Sequence, residues 1–271
     1  MVLALIFIIF ATIQDLRKRE VADWISFSLI VFALGFRLFY SLFNDNFSFF
    51  YQGLIGLGIF FVLGILFYYT HLFAGGDAKL MIALGTILPI SNSFFENLNI
   101  FITFLLIFLF FGAIYGVSWS IVLSLRNFDR FKIDFFKRLN HNKKFSYILM
   151  AVGIIFMLFG FLQELLFFMG ILFFIIPFIY IYAKSVDETC MIKKVNSKDL
   201  TEGDWLYQDL NVGKKKLEAK WDGLSKEEIK LIQKNHKFVL IRQGIPFVPV
   251  FLFSFLILIL LLFIYSGYSS W

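Results

Sequence analysis

Residues 48–69 read SFFYQGLIGLGIFFVLGILFYY, and after four more residues comes Ala74-Gly75-Gly76-Asp77-Ala78-Lys79. No Asp, Glu, Lys or Arg occurs between Asp45 and Asp77. A helix needs about 20 apolar residues to cross a hydrocarbon core about 30 Å thick, and this run supplies them. The rest of the chain has the same character. It is 60% hydrophobic with 40 phenylalanines and 16% charged residues, far more apolar than the core of a globular domain requires. The fold class this implies is an all-α polytopic membrane protein of about six to eight transmembrane helices.

Working outward, apolar segments fall at about 1–14, 24–43, 48–69, 78–90, 99–125, 146–162, 166–183 and 246–265. The first lacks a basic leading region and a small-residue cleavage site, so it reads as a retained span. The stretch from Ser146 to Tyr182 is too long for one crossing, since 37 residues of helix reach about 55 Å. A hairpin turning at Gln163-Glu164 resolves it. These runs divide the chain into a membrane core (1–125), a basic amphipathic loop (126–145), a hairpin (146–183), a small α+β insert (184–245) and a last span (246–271).

The insert is the one sizeable polar segment. Asp199-Leu200-Thr201-Glu202-Gly203-Asp204 reads as a turn and Trp205-Leu206-Tyr207 as a short strand. Ser225 with Glu228 makes a capping box for a helix that turns Ile229 and Ile232 inward and runs to about His236. In the spans, Gly53, Gly56 and Gly58, and Gly112 with Gly116, are spaced for close helix contact in lipid.

Lys and Arg are distributed very unevenly between alternate loops. One side receives 24 of the 25 basic residues; Arg37 is the exception, at the far end of the second span, within reach of outward snorkelling. Basic loops stay cytoplasmic, so the N-terminus is expected outside, with Asp15 and Asp77 facing the cytoplasm. The formal charge of +6 then describes a basic inner face that favours anionic lipid head groups, not nucleic acid. Residues 126–144, where Phe128, Phe131, Phe135 and Phe136 alternate with charges, suit an interfacial helix.

A single cysteine, Cys190, excludes an internal disulfide and any Cys-x-x-Cys motif. The three histidines are far apart and no His-Glu-x-x-His occurs, so neither a metal nor another cofactor is expected. What remains is a pair of acids at membrane boundaries. Asp15 closes the first span and Asp77 opens the fourth, on the same side. An ionisable group at bilayer depth is costly and marks function by default. Two neighbouring carboxylates cannot both ionise cheaply, so one stays protonated while the other serves as base, an arrangement that activates water.

Gly75 and Gly76 would allow positive φ and close backbone approach beside Asp77. Lys79 could support that charge or snorkel at the interface. Asp23 reads as an N-terminal cap for the second helix. The bland alternative, a solvated loop residue, applies most strongly to Asp15, which precedes Arg17, Lys18 and Arg19.

Asp15-Leu-Arg-Lys-Arg-Glu-Val-Ala-Asp-Trp24 together with Gly76-Asp77-x-Lys79 resembles the type IV prepilin peptidase family, in particular its archaeal prepilin and preflagellin branch, over roughly residues 1–125. The resemblance implies a membrane aspartic protease of the GxGD class. Such an enzyme removes a short basic cytoplasmic leader from a prepilin- or archaellin-like substrate helix. By residue, it carries the catalytic roles onto Asp15 and Asp77, and the motif roles onto Gly75, Gly76 and Lys79. Ala74 stands where the family motif has its first glycine; alanine there restricts the backbone to helical or extended conformations. The cysteine-rich domain of bacterial members is missing, which predicts no N-methyltransferase activity. Glu20 and Asp23 are candidate contacts for the basic leader. Two other readings use the same residues differently: a proton-coupled transporter built on the carboxylates, and a non-catalytic assembly protein of a filament machine.

Overall fold

A computed structural model describes residues 1–213, 215–221 and 223–268. The chain is mostly helical and forms two compact units, residues 1–116 with 245–271, and residues 117–244.

The first unit opens with α1 (Val2–Lys18), α2 (Asp23–Phe43) and α3 (Ser48–Tyr69). After these come the short α4 (Gly75–Gly85) and residues 94–116 of α5 (Phe94–Arg126); α10 (Val248–Tyr268) returns to it from the far end of the chain. α4 packs on α3 and α2, and α10 packs on α1. The core is apolar and aromatic: Ile8, Leu29, Phe60, Leu80, Phe104, Phe108 and Phe251 are fully buried.

Small residues set the α3–α4 spacing. A Cβ added at Gly56 would sit 2.1 Å from the Gly85 carbonyl oxygen, and one at Gly85 would sit 2.4 Å from that of Gly56. The two backbones are in direct contact, the packing mode that lipid favours. Gly53 likewise makes room for the Arg37 side chain, whereas Gly58 and Gly116 face open space. The glycine spacing therefore marked real contacts at Gly53 and Gly56 and none at Gly58.

Arg37 does not snorkel. It is 3% exposed, and its guanidinium donates to the carbonyls of Thr86 (2.7 Å), Phe49 (2.9 Å) and Pro89, while its plane lies 4.2 Å from the centre of the Phe49 ring. Thr86 is the residue that closes α4. The end of a helix leaves carbonyls without intrahelical partners, and the guanidinium satisfies the one at Thr86 together with those of Phe49 and Pro89. Pro89 prevents the helix from continuing, because the residue before a proline is pushed out of the α region. That explains why α4 has 11 residues and reaches only about 17 Å, half the hydrocarbon thickness, where the apolar run 78–90 read as a span.

In the second unit, α6 (Phe128–His141) and α7 (Lys143–Phe159) meet at a bend of 75°, and α7 pairs with α8 (Glu164–Cys190). The α7–α8 turn falls at residues 160–163, as the Gln163-Glu164 break indicated. Gly153 and Gly170 bring those helices into backbone contact.

The polar insert holds β1 (Ile192–Asn196), β2 (Trp205–Leu206), β3 (Leu210–Val212), β4 (Lys215–Leu217), α9 (Lys226–Asn235) and β5 (Phe238–Arg242). β5 lies between β1 and β2, antiparallel to both, and β3 pairs with β4. Leu206, Ile229, Ile232, Val239 and Ile241 form its core. The Ser225 capping box is present: the Ser225 amide donates to Glu228 at 2.9 Å and the Glu228 amide to Ser225 Oγ at 3.3 Å.

Among the described residues, four helices, α2, α3, α5 and α8, are long and apolar enough to cross a bilayer, and the bent α6–α7 pair makes a fifth if counted as one span. That is fewer than the six to eight read from hydropathy. α4 is too short for a crossing, and α1, with 17 residues, sits at the lower limit of one. Several apolar helices in one chain make this a multi-pass membrane protein.

Candidate active site

Asp15 lies in the last turns of α1, which ends when Arg19 takes a left-handed conformation (φ 58°) and returns its amide to the Asp15 carbonyl at 2.7 Å. The Asp15 carboxylate points inward and is 5% exposed. Its anchor comes from the other end of the chain: the Val248 amide, at the start of α10, donates to Asp15 Oδ2 at 2.9 Å. The neighbouring Phe247 amide also faces this carboxylate. The first amides of a helix have no intrahelical acceptor and favour an anion, so α10 and Asp15 satisfy one another.

Asp77 is the third residue of α4 and is partly buried. Its Oδ2 accepts from the Ala74 amide at 3.3 Å, so it also serves the start of its own helix. Ala74 is extended (φ −72°, ψ 164°), as alanine at that position requires. Gly75 and Gly76 form the first turn of α4 and neither has positive φ, so the conformational freedom inferred for them is not what the fold uses. What Gly76 provides is proximity: a Cβ there would press against Val21, in the loop after Asp15, at 3.3 Å. Gly75 faces open space.

Three contacts draw the two aspartates together. Gly76 meets Val21, Lys79 Nζ bonds Asp23 Oδ1 at 2.5 Å, and the Phe73 ring, one residue before Ala74, packs 6.0 Å from that of Phe247. The first two tie the start of α4 to the α1–α2 loop. The third ties it to the same turn of α10 that holds Asp15. Asp15 and Asp77 consequently lie within electrostatic range of one another. Arg19 and the Tyr115 hydroxyl of α5 share the surroundings of Asp15.

Lys79 is engaged with Asp23 and not with Asp77, correcting the support read for it from sequence. Asp23 is the first residue of α2 and Ala22 is its N-cap, so Asp23 is not the cap. Glu20 is exposed in the α1–α2 loop. Sequence reasoning missed Phe247, Val248 and Tyr115. Pro249 marks a helix start nearby, but no residue pattern links position 248 to position 15.

The type IV leader peptidase family model matches residues 2–117. A curated preflagellin peptidase of Methanococcus maripaludis is 31% identical over 127 residues, covering 44% of this chain and 55% of that protein. A second, from Methanocaldococcus jannaschii, is 29% identical over 85 residues, covering 31% of this chain and 36% of that protein. The chain therefore spans about half, or less, of the length of these relatives. No solved structure matches it significantly. Over residues 2–117, the part that carries Asp15 and Asp77, this chain is similar to the type IV leader peptidase family.

Proposed function

We propose that this protein is a membrane aspartic endopeptidase that removes the short basic leader of prepilin- or preflagellin-like substrates. Asp15 and Asp77 activate the hydrolytic water. The observation that carries the reading is the convergence of two carboxylates from separate helices, one of them 5% exposed. A purely structural cap needs no second acid nearby, and placing two acids together costs stability unless they share a proton. The family match and the two preflagellin peptidases support the reaction class.

The pair faces the cytoplasm in this reading, where a leader held back by its basic residues would be cut. The substrate enters as a membrane helix and unwinds at the scissile bond. Glu20, exposed in the α1–α2 loop, and Asp23, which pairs with Lys79, are the acidic candidates for contact with the leader. Anionic head groups flank the basic α6.

The test is leader cleavage by purified protein in detergent, with N-terminal sequencing of the product. Asp15→Asn and Asp77→Asn should each abolish cleavage while helical content is retained. Full activity in either variant would overturn the assignment.

A further inference from the structure

We propose that the first turn of α10 assigns unequal roles to the two carboxylates: the Val248 amide holds Asp15 as the ionised general base, leaving Asp77 as the protonated acid. This rests on the peptidase reading and deepens it. The segment concerned lies outside the family-matched residues 2–117.

The argument is one of donors. Asp15 receives the Val248 amide at 2.9 Å, at the positive end of α10, and Arg19 caps its own helix one turn on. Hydrogen bonds donated to a carboxylate favour its charged form. Asp77 receives one longer bond, 3.3 Å from Ala74, and its charged neighbour is Asp15 itself. The nearest lysine in sequence, Lys79, is bound to Asp23. If one acid must keep its proton, it is Asp77. The groups facing Asp15 are Arg19 from α1, Asp77 from α4 and Tyr115 from α5. From α2 the nearby acid is Asp23, neutralised by Lys79, and residues 245–251 carry no titratable side chain.

The chemistry then balances. Water attacks the scissile carbonyl carbon and gives a proton to Asp15, while Asp77 delivers its proton to the carbonyl oxygen, forming a gem-diol. The C–N bond breaks as Asp15 passes its proton to the leaving nitrogen. One diol hydroxyl returns a proton to Asp77, restoring the starting pair.

Val248→Pro tests the idea. The Phe247 carbonyl accepts from the Val250 amide at 3.0 Å, so Val248 occupies the first helical position, where proline is tolerated. The substitution removes one N–H donor, and Val248→Ala retains it. The acidic limb of the pH–rate profile for leader cleavage should move upward by about one to two pH units in Val248→Pro relative to Val248→Ala. An amide-to-ester exchange at position 248 deletes the same donor without proline's ring and should give the same shift.

Infrared titration of the Asp15 carboxyl in an Asp77→Asn background reads the shift without cleavage. Superimposable limbs and unchanged infrared titration in the donor-deleted proteins would overturn the proposal. Absence of cleavage by the unmodified protein would instead defeat the peptidase reading, with the infrared shift still deciding the role of α10.

Discussion

Replacing Gly56 by alanine and, separately, Gly58 by alanine should give opposite results two residues apart on one helix. Both substitutions add the same methyl to α3, and both gain the helix preference of alanine over glycine, about 0.5–1 kcal/mol. At Gly58 nothing lies within 4 Å, so the gain stands. At Gly56 the new carbon would lie 2.1 Å from the Gly85 carbonyl oxygen and 2.8 Å from Pro89. Reaching ordinary contact, at about 3.4 Å, means parting α3 from α4 by about 1.3 Å. Forced overpacking of this kind costs about 1–3 kcal/mol.

The shared gain cancels in the comparison, so Gly56→Ala should be less stable than Gly58→Ala by about 1–3 kcal/mol, roughly 5- to 150-fold in the unfolding equilibrium. Unfolding in mixed detergent micelles, followed by helical circular dichroism, measures the difference. Gly85→Ala should behave like Gly56→Ala, because its methyl would meet the Gly56 oxygen at 2.4 Å. Leader cleavage should fall with stability in both, since α4 carries Asp77 at its other end. Equal stability of Gly56→Ala and Gly58→Ala, within about 0.5 kcal/mol, would refute the backbone contact and the anchoring of α4 that depends on it.

The Lys79–Asp23 pair is 42% and 58% exposed in its two side chains, so breaking it with Lys79→Ala should cost less than about 1 kcal/mol in the same assay and leave cleavage measurable. In the insert, Lys216 beside Asp209 holds that carboxyl below its usual range. A carboxyl with a depressed folded value stabilises the native hairpin above its unfolded value near 3.9, and that help fades as pH falls through the depressed value. Once the intrinsic slowing of exchange in acid is divided out, protection of the β3–β4 amides should therefore fall below about pH 4, and Asp209→Asn should remove that loss of protection from hydrogen exchange measured by mass spectrometry.

Much of this fold was written in the apolar runs. Each of the eight apolar segments falls at least in part on a helix, because an unbroken apolar stretch in lipid has only the helix in which to satisfy its backbone. The Gln163-Glu164 turn and the Ser225 cap were equally legible, being local. Hydropathy could not show that α4 stops after 11 residues, since its end is made by Arg37 reaching across from α2 and by Pro89. Arg37 was conspicuous as the one basic residue on its side, yet its sequence position suits snorkelling and burial alike. Asp15 and Asp77 stood out because carboxylates are rare at such boundaries. Their anchors did not: Val248 is an ordinary valine, and its contribution is a main-chain amide, which no side-chain pattern records.

Asp15 and Val248 are separated by 233 positions. A ribosome makes all the residues between them before the carboxylate can meet its amide partner. Under the proposed reading, the buried acid gains its main-chain donor only once α10 has docked on α1, so the pair is assembled late by construction.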